Sequence, residues 1–398
     1  MDQFIWERAD LTSLGARDTL AAEIAGIREN NGQATLFHDL AWLLEAEGRS
    51  ADKVRVYVCR NGREVIAYAS FVVQPWSMRF RIGEATMFTK AFERLHLSAG
   101  PLFAATYPAQ SRASCIERLF RELRQQLTQR QVLYIEGAVT DSEVERAIQA
   151  GTTRQLFKVI APAPRYERSL IRFPATFEEY LGTLNSQTRQ GLRRQVRKLS
   201  KHLSGKLNLV RCADPAQIPH FVHCAVGISK RTYQWRLLRL GLRNHDEIER
   251  TLTQMARYGW TRCYLLECDG TATAFMIGYL YAGTYYYVDV GFDPEWEKWS
   301  VGTVLHMEVL RDLIEGAPPA SLFDFSTGAG VHKRRFGNEF RAEVDYVLFP
   351  QSAMNTFLVC AVTVVNSMST FVVGMLERLH LKAAVKRLLR RHASDSAE

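Results

Sequence analysis

Val288-Asp-Val-Gly-Phe-Asp-Pro-Glu-Trp-Glu-Lys-Trp-Ser-Val-Gly302-Thr-Val-Leu305 is the stretch that decides the fold. It reads as the end of a β-strand, a charged and aromatic loop, a glycine, and the first turn of a helix. The first turn of any helix carries N–H groups without intrahelical partners at the positive end of its dipole, which makes an anion site. Gly302 has no Cβ to hold a phosphate away from the backbone, so a pyrophosphate is expected there. The plainer reading is a glycine that merely starts the helix, because single-glycine strand-to-helix turns are common.

Upstream of this stretch lies an antiparallel meander, with strands at 261–268, 271–281 and 284–292 joined by the turns Asp269-Gly270 and Ala282-Gly283. Downstream, the helix runs to Glu315 and stops before Pro318-Pro319. A strand at 322–326, a short helix at 331–337 and a strand at 340–349 follow. Before the meander, Thr176 and Glu179 form a capping box, and Leu192, Val196, Leu199 and Leu203 mark an amphipathic helix. A strand at 207–212 and helices at 218–229 and 246–259 lead into the meander.

The first half is a less regular mixture. Helical spacing at 20–28 and 36–47 precedes strands at 54–59 and 65–73 that turn at Asn61-Gly62. A helix through Cys115, Leu119, Leu123 and Leu127, a strand at 132–135, a helix from Asp141 and a strand at 156–160 follow. The two prolines of Ala161-Pro-Ala-Pro-Arg165 block helix and ladder alike and mark the crossing between halves. The expected architecture is α/β (α+β): a unit over 1–165, a second over 166–350, and a helical tail over 351–398, apolar and then basic. Each unit is expected to hold a mixed, mostly antiparallel sheet flanked by helices.

The 398 residues are 47% hydrophobic and 23% charged, too many for one core and unlike a disordered chain. No repeat at solenoid spacing is present. The seven cysteines are scattered, with no histidine pair at zinc-finger spacing, so no metal is expected; they read as reduced, buried thiols of a cytoplasmic protein. The net charge of +9 sits in two places: seven Lys or Arg and no acid over 185–206, and six basic against three acidic residues over 377–398. The remainder is close to neutral, which excludes a generally basic nucleic-acid binder. No aromatic residue interleaves with the first cluster, so nucleic acid is not favoured. A solvated helix face is its plain reading, and an acidic partner its functional one.

Three stretches together resemble the GCN5-related N-acetyltransferase (GNAT) superfamily over about 173–350. Tyr180-Leu-Gly-Thr-Leu-Asn-Ser-Gln-Thr-Arg-Gln-Gly-Leu-Arg-Arg is similar to its opening helix, and Trp299-Ser-Val-Gly-Thr-Val-Leu to its acyl-CoA loop. Phe323-Asp-Phe-Ser-Thr-Gly-Ala-Gly-Val-His-Lys-Arg-Arg-Phe-Gly is similar to its late strand and short helix. Within the superfamily the chain resembles the cellulose and exopolysaccharide biosynthesis acetyltransferases, themselves similar to peptidoglycan-bridge aminoacyl transferases. The resemblance implies tandem GNAT-like domains with a degenerate first copy. It also implies binding of acetyl-CoA or another acyl-CoA by Val290, Phe292, Trp299, Ser300, Val301, Gly302 and Thr303. The superfamily's usual loop is Gln/Arg-x-x-Gly-x-Gly/Ala; Trp299 and Val304 depart from it, which leaves another thioester donor open.

Acyl transfer needs a group to take the acceptor's proton. Asp289 and Asp324 each interrupt an aromatic or β-branched strand, where burial would raise a carboxyl's pKa; the alternative for either is a salt bridge to Lys333 or Arg334. Lys333, His332 and Tyr287 are the candidates for holding the acceptor, a saccharide or amine. The expected function is acyl-CoA-dependent acyl transfer. A noncatalytic membrane-associated scaffold of an exopolysaccharide assembly and a tRNA-dependent aminoacyl transferase are the alternatives.

The uncharged run 353–376, followed by Arg378, Lys382, Lys386, Arg387, Arg390 and Arg391, has two readings. One is a helix packed on the catalytic domain or lying on an anionic membrane surface; the other is a helix spanning the membrane. Both place the protein in the cytoplasm, with the membrane readings putting it at the inner face of the cell membrane.

Overall fold

The computed structural model describes residues 4–364 apart from 30, 47–48, 83–84, 232–241, 243 and 329. Fourteen strands form one sheet. They are β1 (Ile5–Arg8), β2 (Val54–Asn61), β3 (Glu64–Ile82), β4 (Ala85–Leu97), β5 (Leu102–Phe103), β6 (Gln131–Val139), β7 (Phe157–Ile160), β8 (Tyr166–Arg172), β9 (Leu207–Cys212), β10 (Cys263–Cys268), β11 (Thr271–Tyr281), β12 (Thr284–Phe292), β13 (Leu322–Asp324) and β14 (Glu339–Pro350). Their spatial order is β1-β2-β3-β4-β6-β14-β8-β13-β12-β11-β10-β9, with β5 on β3 and β7 on β14. Most neighbours are antiparallel; β4 with β6 and β12 with β13 are parallel. The fold is thus mixed α/β, as expected, with helices on both faces of the sheet.

The last strand joins the halves. β14 pairs with β8 through Glu339–Glu343 and with β6 through Glu343–Leu348, so the second half completes the first half's ladder. A second join comes from residues 36–46, whose Leu36, Trp42 and Ala46 enter the core beneath β9–β12. There the Leu36 N–H donates to the Tyr286 hydroxyl, and Tyr281 donates to Asp39.

Alternation along the strands builds two layers around the second half. In β10, Tyr264, Leu266 and Cys268 face the helices Phe177–Thr183, Ser186–His202 and Val301–Glu315, while Cys263 and Leu265 face Ile218–Arg231 and His245–Arg257. Around the first half, the helices Ala109–Gln126 and Glu143–Gln149 pack on β4, β6 and β14. The helices Leu14–Glu29 and Leu40–Glu45 lie on β2 and β3.

Several expectations change. The spacing over 36–47 predicts one helix, but Asp39 caps a new helix at Leu40 by accepting from the Ala41 N–H. The strand expected over 65–73 continues to Ile82 and pairs from Val72 onward with β4, which sequence reading missed, as it missed β1 and β8. Of the tail, residues 353–364 form a helix whose Leu358, Val359 and Val362 pack on Met78, Phe80, Phe92 and Val132 of the first half and on Val347 and Phe349 of β14. Asn355, fully buried, anchors it by donating to the Pro350 carbonyl and to Gln129. The rest of the run to 376 and the basic segment over 377–398 lie outside the described residues. Among the described residues no helix is long and apolar enough to cross a membrane.

The seven cysteines are free thiols, five of them buried. Among the described residues no group of His, Cys, Asp and Glu is placed to hold a metal.

Candidate active site

β12 and β13 are paired only from Thr284 to Tyr286 against Leu322 to Asp324; beyond that they part. On its other side β12 carries a bulge: Ile277 pairs with Asp289 and Gly278 with Tyr287, leaving Val288 without a partner. The extra residue changes which side chains share a face. Tyr285, Tyr287 and Val290 pack with the core against the helix Val301–Glu315. Gly291 turns the other way, where an added Cβ would lie 2.4 Å from the Phe275 ring. Asp289 shares that second face by alternation.

The gap opens into a cleft of about 620 Å³ lined by Val290, Gly291, Phe292, Pro294, Glu297, Ser300, Gly302, Thr303, His306, His332, Arg335 and Phe336. The cleft therefore gathers five of the residues named for the donor, Val290, Phe292, Ser300, Gly302 and Thr303, together with His332. Trp299 and Val301 do not line it. Val301 is wholly buried in the core beneath. Trp299 stacks on His202 at 3.7 Å between ring centroids and lies under the Lys198 ammonium, which donates to the Lys298 carbonyl at 3.0 Å. It thereby clamps the basic helix Ser186–His202 to the loop.

The helix above the cleft begins without a side-chain cap. Ser300 sits in the left-handed region at φ 59°, ψ 36°, and its carbonyl accepts from the N–H groups of Thr303 and Val304. The N–H groups of Val301 and Gly302 meet no acceptor among the described residues. A Cβ on Gly302 would lie 3.1 Å from the Phe292 ring, so the glycine keeps Phe292 against the helix start as well as leaving the backbone open. Arg335 brings positive charge to the same wall. It donates to Gln195 at 3.1 Å, Gln195 donates to the Ser300 hydroxyl at 3.3 Å, and no carboxylate lies within salt-bridge distance of Arg335 among the described residues. Free N–H groups, a helix dipole and an unpaired guanidinium suit a pyrophosphate.

The opening helix and the late short helix, far apart in sequence, meet where the buried Tyr180 hydroxyl donates to the Phe336 carbonyl at 2.8 Å. This fixes the end of Val331–Phe336, the helix that presents His332, Lys333 and Arg335. His332 is exposed at the cleft, with its pKa lowered by burial of part of the ring and by Lys333. Lys333 is half-buried and donates to the carbonyls of Thr327 and Gly328 at 2.8 and 3.2 Å. Burial and the nearby Arg168 lower its pKa, against Asp324. Tyr287 packs among Phe323, Phe325 and His306 and is not among the residues that line this cleft.

The two aspartates are in unlike surroundings. Asp324 is held by Arg168, with Nε to Oδ1 at 2.8 Å and Nη2 to Oδ2 at 2.5 Å, and accepts from the Ser326 N–H at 2.8 Å. Its partner is thus neither Lys333 nor Arg334; the latter pairs with Glu167. Arg168 also reaches Glu343, and a polar strip continues across the join through Glu136, which binds His96 at 3.0 Å and Thr327 at 3.3 Å. Asp289 lies on the part of β12 beyond the pairing with β13. Among the described residues it accepts from the neighbouring Val290 N–H alone, at 2.8 Å, and burial raises its pKa. Arg168, Gln195, His306 and Arg335 were not anticipated. His306 lies four residues after Gly302, a spacing that places both on one helix face.

Residues 186–334 match the family model described as acetyltransferase (GNAT) domain. No curated protein matches the chain in sequence. Among solved structures, FemX shares the fold with a TM-score of 0.58 at 10% identity, over 89% of this chain and 99% of that one. A conserved protein of unknown function from Bacteroides thetaiotaomicron shares it with a TM-score of 0.52 at 12% identity, over 88% of this chain and 100% of its own. A tandem GNAT protein from the clavulanic acid biosynthesis pathway aligns with a TM-score of 0.48 at 11% identity, over 88% and 100% of the two chains. Residues 186–334 thus match the model of an acetyltransferase (GNAT) domain, in a chain that shares its fold with FemX over 89% of its length.

Proposed function

We propose that the protein is an acyl-CoA-dependent acyltransferase whose acceptor is an amine or hydroxyl of a saccharide, lipid-linked sugar or amino-acid-derived molecule. One observation carries this reading: the cleft at the parting of β12 and β13 is closed at one end by a helix start, inside the segment that matches the GNAT domain model, with two N–H groups that meet no acceptor among the described residues and with Arg335 just beyond that segment. The first turn at Gly302 and the Arg335 guanidinium would hold the pyrophosphate, and Val290, Phe292 and Phe336 would line the arm. When bound, the coenzyme supplies an activated acyl thioester.

Asp289 takes the acceptor's proton. Among the described residues its carboxyl pairs with no cation, and burial raises its pKa, which makes it the first of the two aspartates to test as the proton acceptor. Asp324 is tied at both oxygens to Arg168 and serves to fix the polar strip and, through it, Lys333. Lys333 and His332 face the acceptor, where the ammonium suits an anionic group such as a sugar phosphate.

The exopolysaccharide setting and a station at the membrane face belong to the same reading. The helix over 353–364 exposes Met354, Phe357 and Val364, and the sequence beyond it is apolar and then basic, which suits an anionic lipid surface.

The test is thiol release from acetyl-CoA by the purified full-length protein across a panel of amino sugars, sugar phosphates and amino acids. Turnover with one acceptor class is expected, falling about 100-fold or more in Asp289→Asn with donor affinity kept. Wild-type turnover in Asp289→Asn alongside loss in Asp324→Asn would transfer the base role to Asp324. No thiol release with any acceptor of the panel, in a protein that binds the donor, would favour a noncatalytic member.

A further inference from the structure

His306 is the one buried polar side chain of the cleft wall left with an atom unsatisfied among the described residues. Its Nδ1 lies 3.1 Å from the Gly302 carbonyl, and its Nε2 is buried without a partner. A carbonyl only accepts, so the proton sits on Nδ1 and Nε2 presents a lone pair. Burial pushes the ring's pKa down to about 4, so this neutral form persists at physiological pH. The ring stacks on Phe336 at 5.0 Å and sits near Phe325 and Tyr287, an apolar setting in which leucine or phenylalanine would leave no acceptor stranded.

The position narrows what can satisfy it. One helical turn separates His306 from Gly302, about 6 Å along the axis. A ligand with its anionic group at the helix start and its reactive end at the parted strands must therefore run past His306. Resting on the donor reading above, we propose that His306 Nε2 accepts a hydrogen bond from an amide N–H of a pantetheine arm, making this residue the one that selects an amide-bearing thioester donor. The arm is common to coenzyme A and to the phosphopantetheine of a carrier protein.

Calorimetry on the full chain tests this with coenzyme A, ADP and 4′-phosphopantetheine as probes, for the wild type, His306→Leu and His306→Gln. The Leu variant should bind coenzyme A about tenfold more weakly and ADP unchanged, since ADP has no arm, and Gln should restore most of the affinity by returning an acceptor. Equal affinity of wild type and Leu variant for coenzyme A overturns the proposal while leaving the donor reading in place. So does a parallel loss for coenzyme A and ADP, which would make His306 a wall of the phosphate site. Failure of the wild type to bind any of the three overturns the donor reading, and this proposal with it. Tight binding of 4′-phosphopantetheine without ADP supports the proposal and assigns the arm to a carrier protein.

Discussion

Arg168, on the first strand of the second half, grips Asp324 through both carboxylate oxygens while its third nitrogen reaches Glu343 on the strand that joins the halves. Burial disfavours its charge, yet the two carboxylates more than offset this and hold the guanidinium protonated. Glu343 is wholly buried, and burial pushes its carboxyl up against the pull of Arg168 and Arg341. The cluster is therefore a structural lock at the join.

Arg168→Met should expose the cost of that arrangement. It strands the buried Asp324 carboxylate and leaves Glu343 with Arg341 alone, a change expected to destabilise by about 3–5 kcal/mol. Asp324→Asn leaves Arg168 its partner Glu343 and should cost clearly less. Denaturant melts of the two variants check the order, and equal small losses would show that the pair carries no structural weight.

Acid should weaken the fold through two histidines. His38 and His306 are fully buried, and burial lowers both to about 4 from an ordinary 6.5. Between those values the unfolded chain binds protons that the folded one does not, so stability is lost as pH falls from 6.5 towards 4, by about 3 kcal/mol per histidine at the lower end. Urea melts at pH 7 and pH 4.5 measure the loss. His306→Leu should remove a large part of it; an unchanged pH slope in that variant would contradict the assignment.

Two truncations separate the tail's packing from its surface role. Ending the chain after Pro350 uncovers Phe80, Phe92, Val347 and Phe349 and should destabilise by roughly 5 kcal/mol, given three buried aliphatic side chains lost. Ending it after Val364 should leave stability intact but abolish sedimentation with phosphatidylglycerol vesicles at low salt. Vesicle binding that survives the second truncation would remove the basic segment from the account.

Local chemistry explains what the sequence made legible. The meander, the N-cap at Thr176 and the Gly302 loop are written in turn residues and spacing within a few positions of one another, and all three recur in the structure, although the Glu179 carboxylate accepts from the Ala175 N–H rather than closing a box on Thr176. β8 was hidden because Tyr166-Glu-Arg-Ser-Leu-Ile-Arg172 alternates polar and apolar only in part: Arg168 is buried in an ion cluster, where a polar residue reads as exposed. Its partner Asp324 is 156 positions away, beyond any spacing argument. β4 was hidden likewise, its Thr, Lys, Glu and Arg resembling a loop although they line a long hairpin. His306 reads as one more helix residue, since only the fold shows that its Nε2 meets no partner among the described residues.

Coenzyme A binding by the full-length protein and by Gly302→Glu tests the central claim most directly. The variant puts a carboxylate at the uncapped helix start, where the pyrophosphate is placed, and Phe292, partly exposed, has room to yield. The account expects one coenzyme A per wild-type chain by calorimetry, and no measurable binding by a variant that melts cooperatively like the wild type. A wild type that binds no coenzyme A, or a folded variant that binds it equally well, would contradict the assignment of the cleft.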